Sequence, residues 1–230
     1  RVWAFINNDT VPSSIFKRDY DTYFNMVKSN MQEPLITNGD HYNSFNSYQA
    51  ASYFKGSLFL AQLGYIVGGA TLDRILLEYY KEWRFKHPNP TDFIRVAEKV
   101  SKVELGWYGD FWINSNKTID YSIDSLWEEG GKSKIRLRMI GKMPMPIDVL
   151  MQFKDGSRLL AYIPLYSMFG SKPLEDKNID RLEFEPWRWT QSTYVYQVDR
   201  KLTDLKVIEI DPTQRMADVN RANNKLELNW

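Results

Sequence analysis

The chain contains no cysteine, only two histidines in 230 residues and almost no excess of charge, with 30 lysines and arginines against 29 aspartates and glutamates. Without cysteine there is no disulfide, no thiolate metal site and no thiol nucleophile, and the redox compartment stays open. A net charge of +1 supplies no general pull toward nucleic acid or an anionic bilayer, which argues against a nucleic-acid partner. No apolar run reaches the roughly 18 residues a membrane-spanning helix needs, so no membrane insertion is expected, and no secretory n-region and h-region is visible. G-x-S-x-G, P-loop and G-x-G-x-x-G motifs are also missing. His41 and His87 stand far apart in segments that read as loops, and neither belongs to an H-E-x-x-H helix. A catalytic zinc site wants three protein ligands, so both read as ordinary surface or capping residues and no metal-binding residue is assigned.

What is present is enough to bury a core: 43% of residues are apolar and 15% aromatic. Asn7, Asn8, Asp9 and Pro12 make the first residues a loop, after which Ser13 or Ser14 caps a helix carrying Phe16, Tyr20, Tyr23, Phe24 and Val27 at helical spacing. That helix is expected to stop near Asn30, followed by a polar surface loop over 33–44. A long apolar helix then spans 47–67, with Ala51, Phe54, Leu58, Ala61 and Tyr65 on one arc beside the small residues Gly56, Ser57 and Gly64. Gly68-Gly69 ends it. Leu72, Ile75, Leu76, Tyr79 and Trp83 define a third, amphipathic helix ending before His87-Pro88. Asn89, Pro90 and Asp92 supply a cap, a first helical residue and a first-turn acid for a fourth helix with Phe93, Val96, Ala97 and Val100 on one face. A short fifth helix over 104–113 presents Leu105, Tyr108 and Trp112.

After Asn116 the hydrophobic period changes from 3.6 to 2. Residues 134–139 alternate charge and apolar side chain, as a half-buried strand does. Residues 147–153 and 158–163 flank Asp155-Gly156 and read as a hairpin with a primed two-residue turn. Further strands are expected at 119–126, 193–198 and 205–210, giving an antiparallel β-sandwich. The fold expectation is therefore α+β by segregated domains: an all-α helical subdomain over 1–118, then a sandwich over 119–230. Their boundary falls within 116–132, with Glu128-Glu129-Gly130-Gly131 as hinge or turn.

Three features of the β half invite a ligand reading. The acidic and amide-rich stretch from Asp211 through Asp218 and Asn220 to Asn224 has oxygen ligands for calcium, but its spacing does not match an EF-hand loop, and it reads as turn formation with strand-end hydrogen bonding. Asn116-Lys117-Thr118 is a formal glycosylation sequon. Trp187, Trp189 and Tyr194 offer an aromatic platform for sugar; the i, i+2 alternation puts both tryptophans on one face of a strand, which reads as a core face.

The residues Tyr53-Phe54-Lys55-Gly56, then Leu63 and Gly68, the run from Leu77 to Pro88, Asp92-Phe93, and Leu105-Gly106-Trp107-Tyr108 leading to Phe111-Trp112 resemble, in order and type, the aminopeptidase N family of gluzincin zinc metallopeptidases. Trp187-Arg188-Trp189-Thr190 and Ile210-Asp211-Pro212 resemble the β-sandwich that follows the catalytic domain in bacterial members. The resemblance implies that 1–118 is the helical C-terminal half of a thermolysin-like catalytic domain. It assigns one catalytic residue, Tyr53, whose hydroxyl would donate a hydrogen bond to the oxyanion of the tetrahedral intermediate. Phenols remain protonated donors at pH 7, and one such donor is worth about 10² to 10³ in rate.

The family's zinc-binding H-E-x-x-H with its distal glutamate, and its G-x-M-E-N strand for the substrate N-terminus, are not in this sequence. They are expected upstream of Arg1. The chain alone is thus expected to bind no catalytic zinc and to be inactive, with the zinc cofactor, the upstream catalytic half and the peptide substrate belonging to an intact parent protein. The bacterial character of the resemblance suggests a periplasmic or extracellular location. Two alternatives stand beside this reading: a non-catalytic protein- or glycan-binding module, and a pseudo-peptidase that kept the fold without its ligands.

Overall fold

The computed structural model describes residues 16–228. The loop expected over the first residues and the cap expected at Ser13 or Ser14 lie outside them. Helix α1 (Lys17–Lys28) follows, and the chain leaves it through Asn30 in a left-handed conformation, φ 52°. Next, α2 (Phe45–Gln49), a π-helical turn (Ala50–Lys55) and α3 (Gly56–Val67) run on as one continuous helix. Gly68, at φ 81°, breaks it, and α4 (Gly69–Trp83) begins at once. A β-carbon on Gly68 would also stand 2.9 Å from the Pro173 ring, so the break requires glycine on two counts. The capping box expected from Asn89 and Asp92 forms at the start of α5 (Pro90–Ser101), and α6 (Gly106–Asn114) closes the helical layer.

The β half comprises two sheets. One has the order β1-β2-β6 and the other β5-β4-β3-β7-β8. The strands are β1 (Tyr121–Glu129), β2 (Lys132–Met139), β3 (Ile147–Phe153), β4 (Arg158–Ile163), β5 (Asp180–Glu183), β6 (Thr193–Val198), β7 (Leu205–Ile210) and β8 (Lys225–Glu227). All pairings are antiparallel except β4 with β5. A helical part followed by an antiparallel-rich β region is the α+β arrangement expected from the change of period.

The two tight turns exchange roles relative to expectation. Residues 153–157 are not a primed turn: Gly156 alone has positive φ, 84°, and donates to the Phe153 carbonyl, while the Phe153 N–H donates to Ser157. That is a type I turn closed by a glycine bulge. The primed geometry belongs instead to Gly130-Gly131, at φ 60° and 75°, joining β1 to β2 where Glu129 pairs with Lys132. Residues 128–131 therefore form a hairpin turn and not a hinge.

One hydrophobic core runs through both halves. Leu58, Leu63, Ile66, Tyr108 and Trp112 from the helices join Ile147, Val149, Met151, Ile208 and Ile210 from the second sheet and Ile135 and Leu137 from the first. The alternate residues of β3 supply that core because period 2 sends every second side chain to the same face. The joint is also polar. Buried Gln62 on α3 donates to the Arg215 carbonyl at 2.6 Å and accepts from the Ala217 N–H at 2.9 Å, while the Tyr20 hydroxyl donates to the same Arg215 carbonyl. Lys172 in the β half lies 4.0 Å from the centre of the Tyr65 ring.

Helix α4 is covered least. Of the stripe expected from its sequence Ile75 is fully buried, Leu72, Tyr79 and Trp83 are half-buried and Leu76 faces outward, as do Leu77 and Tyr80 beside it. Among the described residues the helix packs chiefly against α3 and α5.

Candidate functional site

Ser44 caps the long helix by accepting from the Ser47 N–H at 3.0 Å, and Ala50 to Lys55 then wind as a π-helix. In that winding each carbonyl is reached from five residues on, so one extra residue is accommodated and the faces are re-phased. Uniform α-periodicity would bury Ala51, Phe54 and Leu58 together. With the π-turn in place, Ala51 and Leu58 are buried but Phe54 is turned half out, and Lys55 takes the inward position.

Tyr53 lies on the outer side of this turn with 63% of its surface exposed, and among the described residues its hydroxyl has no hydrogen-bond partner. It forms one wall of an open groove of about 370 Å³ shared with Arg18, Phe45, Tyr48, Gln49 and Phe54. The rings contact edge to face: Tyr48 meets Tyr53 at 6.5 Å between centroids and Tyr42 at 5.5 Å. Across the groove, the Arg18 guanidinium sits 5.3 Å from the Phe54 ring centre. An unengaged phenol, an amide and a guanidinium over an apolar floor provide hydrogen-bond donors beside a surface suited to an apolar or peptide-like ligand.

Beneath the turn is a group whose role the sequence reading did not identify. Lys55 is fully buried, and its ammonium donates to the Glu33 carbonyl at 3.2 Å and the Ser115 carbonyl at 2.9 Å. Burial pushes its pKa down to about 8. A signal for it was present: Lys55 is the only lysine, arginine, aspartate or glutamate between Asp40 and Asp73. Gln62 and Tyr20 were likewise unmarked, because a glutamine on an apolar helix gives no hint of which distant loop it will bond.

The remaining sequence candidates separate from this site. His41 and His87 are both exposed, His41 lying 3.9 Å from its neighbour Asp40. Among the described residues no group of three histidine, aspartate or glutamate side chains is arranged to hold a metal ion, so their donors do not fit a zinc site. In the 211–224 stretch, Asp211 accepts from the N–H groups of Arg215 and Met216 and from the Thr213 hydroxyl. Asp218 accepts from the Tyr121 and Asn220 N–H groups. These carboxylates order turns, and burial raises them to about 7 and about 6 respectively.

The two tryptophans do not share a strand face. Trp187 is buried, bonding the Gln191 carbonyl through its indole N–H, whereas Trp189 is 48% exposed and edge-on to Phe111. Asn116, of the sequon, is exposed between α6 and β1.

Neither a scan against protein-family models nor a search of curated proteins finds a match to this chain.

Proposed function

We propose that this chain supplies the helical cleft wall and the oxyanion-stabilising tyrosine of an aminopeptidase-like zinc metallopeptidase, with Tyr53 as the donor. The observation that carries this reading is the setting of Tyr53: an exposed phenol without a described partner, projected from a π-wound turn beside an apolar groove. π-turns inside α-helices are rare and concentrate at functional sites. The Y-x-K-G resemblance gives the same residue the same role. A neutral hydroxyl held there stabilises negative charge developing on a peptide carbonyl oxygen without itself losing a proton. Zinc would be held by residues outside those described, and these residues alone would hydrolyse nothing.

The test is Tyr53→Phe in the complete polypeptide, assayed on aminoacyl amide substrates. The expected result is a kcat lowered about 10² to 10³-fold with KM nearly unchanged; unchanged turnover would overturn the assignment. Metal analysis of the same protein separates an active enzyme from a pseudo-peptidase.

A second reading draws on Trp189, which stands half exposed beside Phe111. In that reading the β region is a non-catalytic module that stacks an apolar sugar face or protein side chain on the indole. Glycan binding abolished by Trp189→Ala would favour it, and a glycan array with no signal would remove it.

A further inference from the structure

We propose that Lys55 is a positioning residue for Tyr53: its buried ammonium gathers the Glu33 and Ser115 carbonyls beneath the π-turn and so fixes the backbone from which the tyrosine projects. This rests on the oxyanion role proposed for Tyr53. A π-turn is held only where its surroundings determine it, because the α-winding on either side competes with it. Lys55 is its last residue and ties it to segments 22 and 60 residues away in sequence, the loop before α2 and the end of α6.

Stability alone does not explain an ammonium at this position. A methionine of similar length would fill the space without the cost of withdrawing a charge from water. No carboxylate offsets that cost among the described residues. The Glu33 carboxylate accepts from the Asn43 N–H, Asp19 of α1 accepts from the Ser57 hydroxyl, and the Lys117 ammonium rests over Phe111. What the charge does provide is a tripod of donors, two of them holding under one turn the carbonyls of two segments that the Ile36 N–H also joins through the Ile113 carbonyl.

The experiment compares hydrogen–deuterium exchange of the wild-type chain with that of Lys55→Met and Lys55→Arg. In Lys55→Met, amides of 50–56 and of Ile36, which bonds the Ile113 carbonyl, should exchange about tenfold faster or more, while β3 and β7 stay at their wild-type rates; Lys55→Arg should restore part of the protection. Unchanged exchange at 50–56 would overturn the proposal. Should Lys55→Met fail to fold, the wild-type chain decides alone. Protection at 50–56, corrected for intrinsic rates, should rise as pH passes above about 8, because the closed turn has released the Lys55 proton while an opening that returns the side chain to water takes it up again, and constant protection would overturn the proposal.

Turnover of the complete polypeptide adds a readout that a merely structural lysine would not move. Lys55→Met should lower kcat about tenfold or more at unchanged KM, and combining it with Tyr53→Phe should cost nothing beyond Tyr53→Phe alone. Additive losses would show that Lys55 does not act through Tyr53. Wild-type turnover in Tyr53→Phe would instead remove the oxyanion reading and leave exchange to decide the role of Lys55.

Discussion

Lys55 in the helical layer and Lys172 in the β half are both withdrawn from water, with 0% and 1% of their surface exposed, yet their surroundings differ in kind. The Lys172 ammonium bonds Asp148, lies 2.6 Å from Glu175 and sits against the Tyr65 ring, and Glu175 in turn holds Arg215 at 3.0 Å. Burial pushes the Glu175 carboxyl upward, but Lys172 and Arg215 outweigh it and hold it below the ordinary range. Lys55 has two peptide carbonyls and no opposite charge among the described residues. The first lysine belongs to a compensated network that braces the joint between the halves. The second is an uncompensated charge at the one irregular turn of the described helices. A paired charge marks the joint between the halves, and an unpaired one marks the turn that carries the candidate site.

The most severe test of that contrast is Lys172→Met, which leaves the buried Asp148 without its cation and Glu175 with Arg215 alone. A loss of about 3–5 kcal/mol in urea denaturation is expected, because breaking a buried pair strands the remaining charge. Lys55→Met strands no charge, so its loss should be well under half as large; equal losses would erase the distinction between the two lysines.

Stability against pH separates the halves further. Asp211 has its folded pKa raised from 3.8 to about 7 by burial, in spite of the N–H groups of Met216 and Arg215 that it accepts from. The folded state therefore binds that proton more tightly than the unfolded chain. Its contribution is full below about pH 3.8 and is lost as pH rises through about 7. Lys55, lowered from 10.5 to about 8, acts in the opposite sense. The unfolded chain holds its proton between those values, so stability rises with pH across that window. Denaturation midpoints measured against pH should lose the falling limb in Asp211→Asn and the rising limb in Lys55→Met.

A smaller effect is expected at the joint itself. Gln62→Leu leaves the Ala217 N–H without its acceptor and removes one of two donors to the Arg215 carbonyl, costing about 1–3 kcal/mol in chemical denaturation. The smallest belongs to a purely local feature of the helical layer. Asn89→Ala removes one arm of the capping box and should cost about 1 kcal/mol, read as a modest fall in Tm.

Much of the fold was legible because it depends on near neighbours in the chain. The helix stripes through Leu105, Tyr108 and Trp112, the Asn89 cap, and the strands Thr193–Val198 and Leu205–Ile210 lie where their periodicity puts them. Trp187 and Trp189 show the limit of that reasoning. Their alternation implies one strand face, but the chain turns between them, with Gln191 N–H bonding the Arg188 carbonyl, and sends one indole inward and the other out. The parallel pairing of β5 with β4 was equally hidden, since a four-residue strand carries no mark of its partner.

The candidate site divides along the same line. Y-x-K-G singles out Tyr53, and the sequence alone places it on a helix that begins near Ser47 and ends at Gly68. That the helix winds as a π-turn at Tyr53, turning Phe54 half out and burying Lys55, was decided by the tertiary structure. The determining partners are the carbonyls of Glu33 and Ser115, and a backbone carbonyl looks the same whatever residue bears it. Side-chain type and spacing determine local winding and the buried face; where a lone charge finds its acceptors is settled only when distant segments meet.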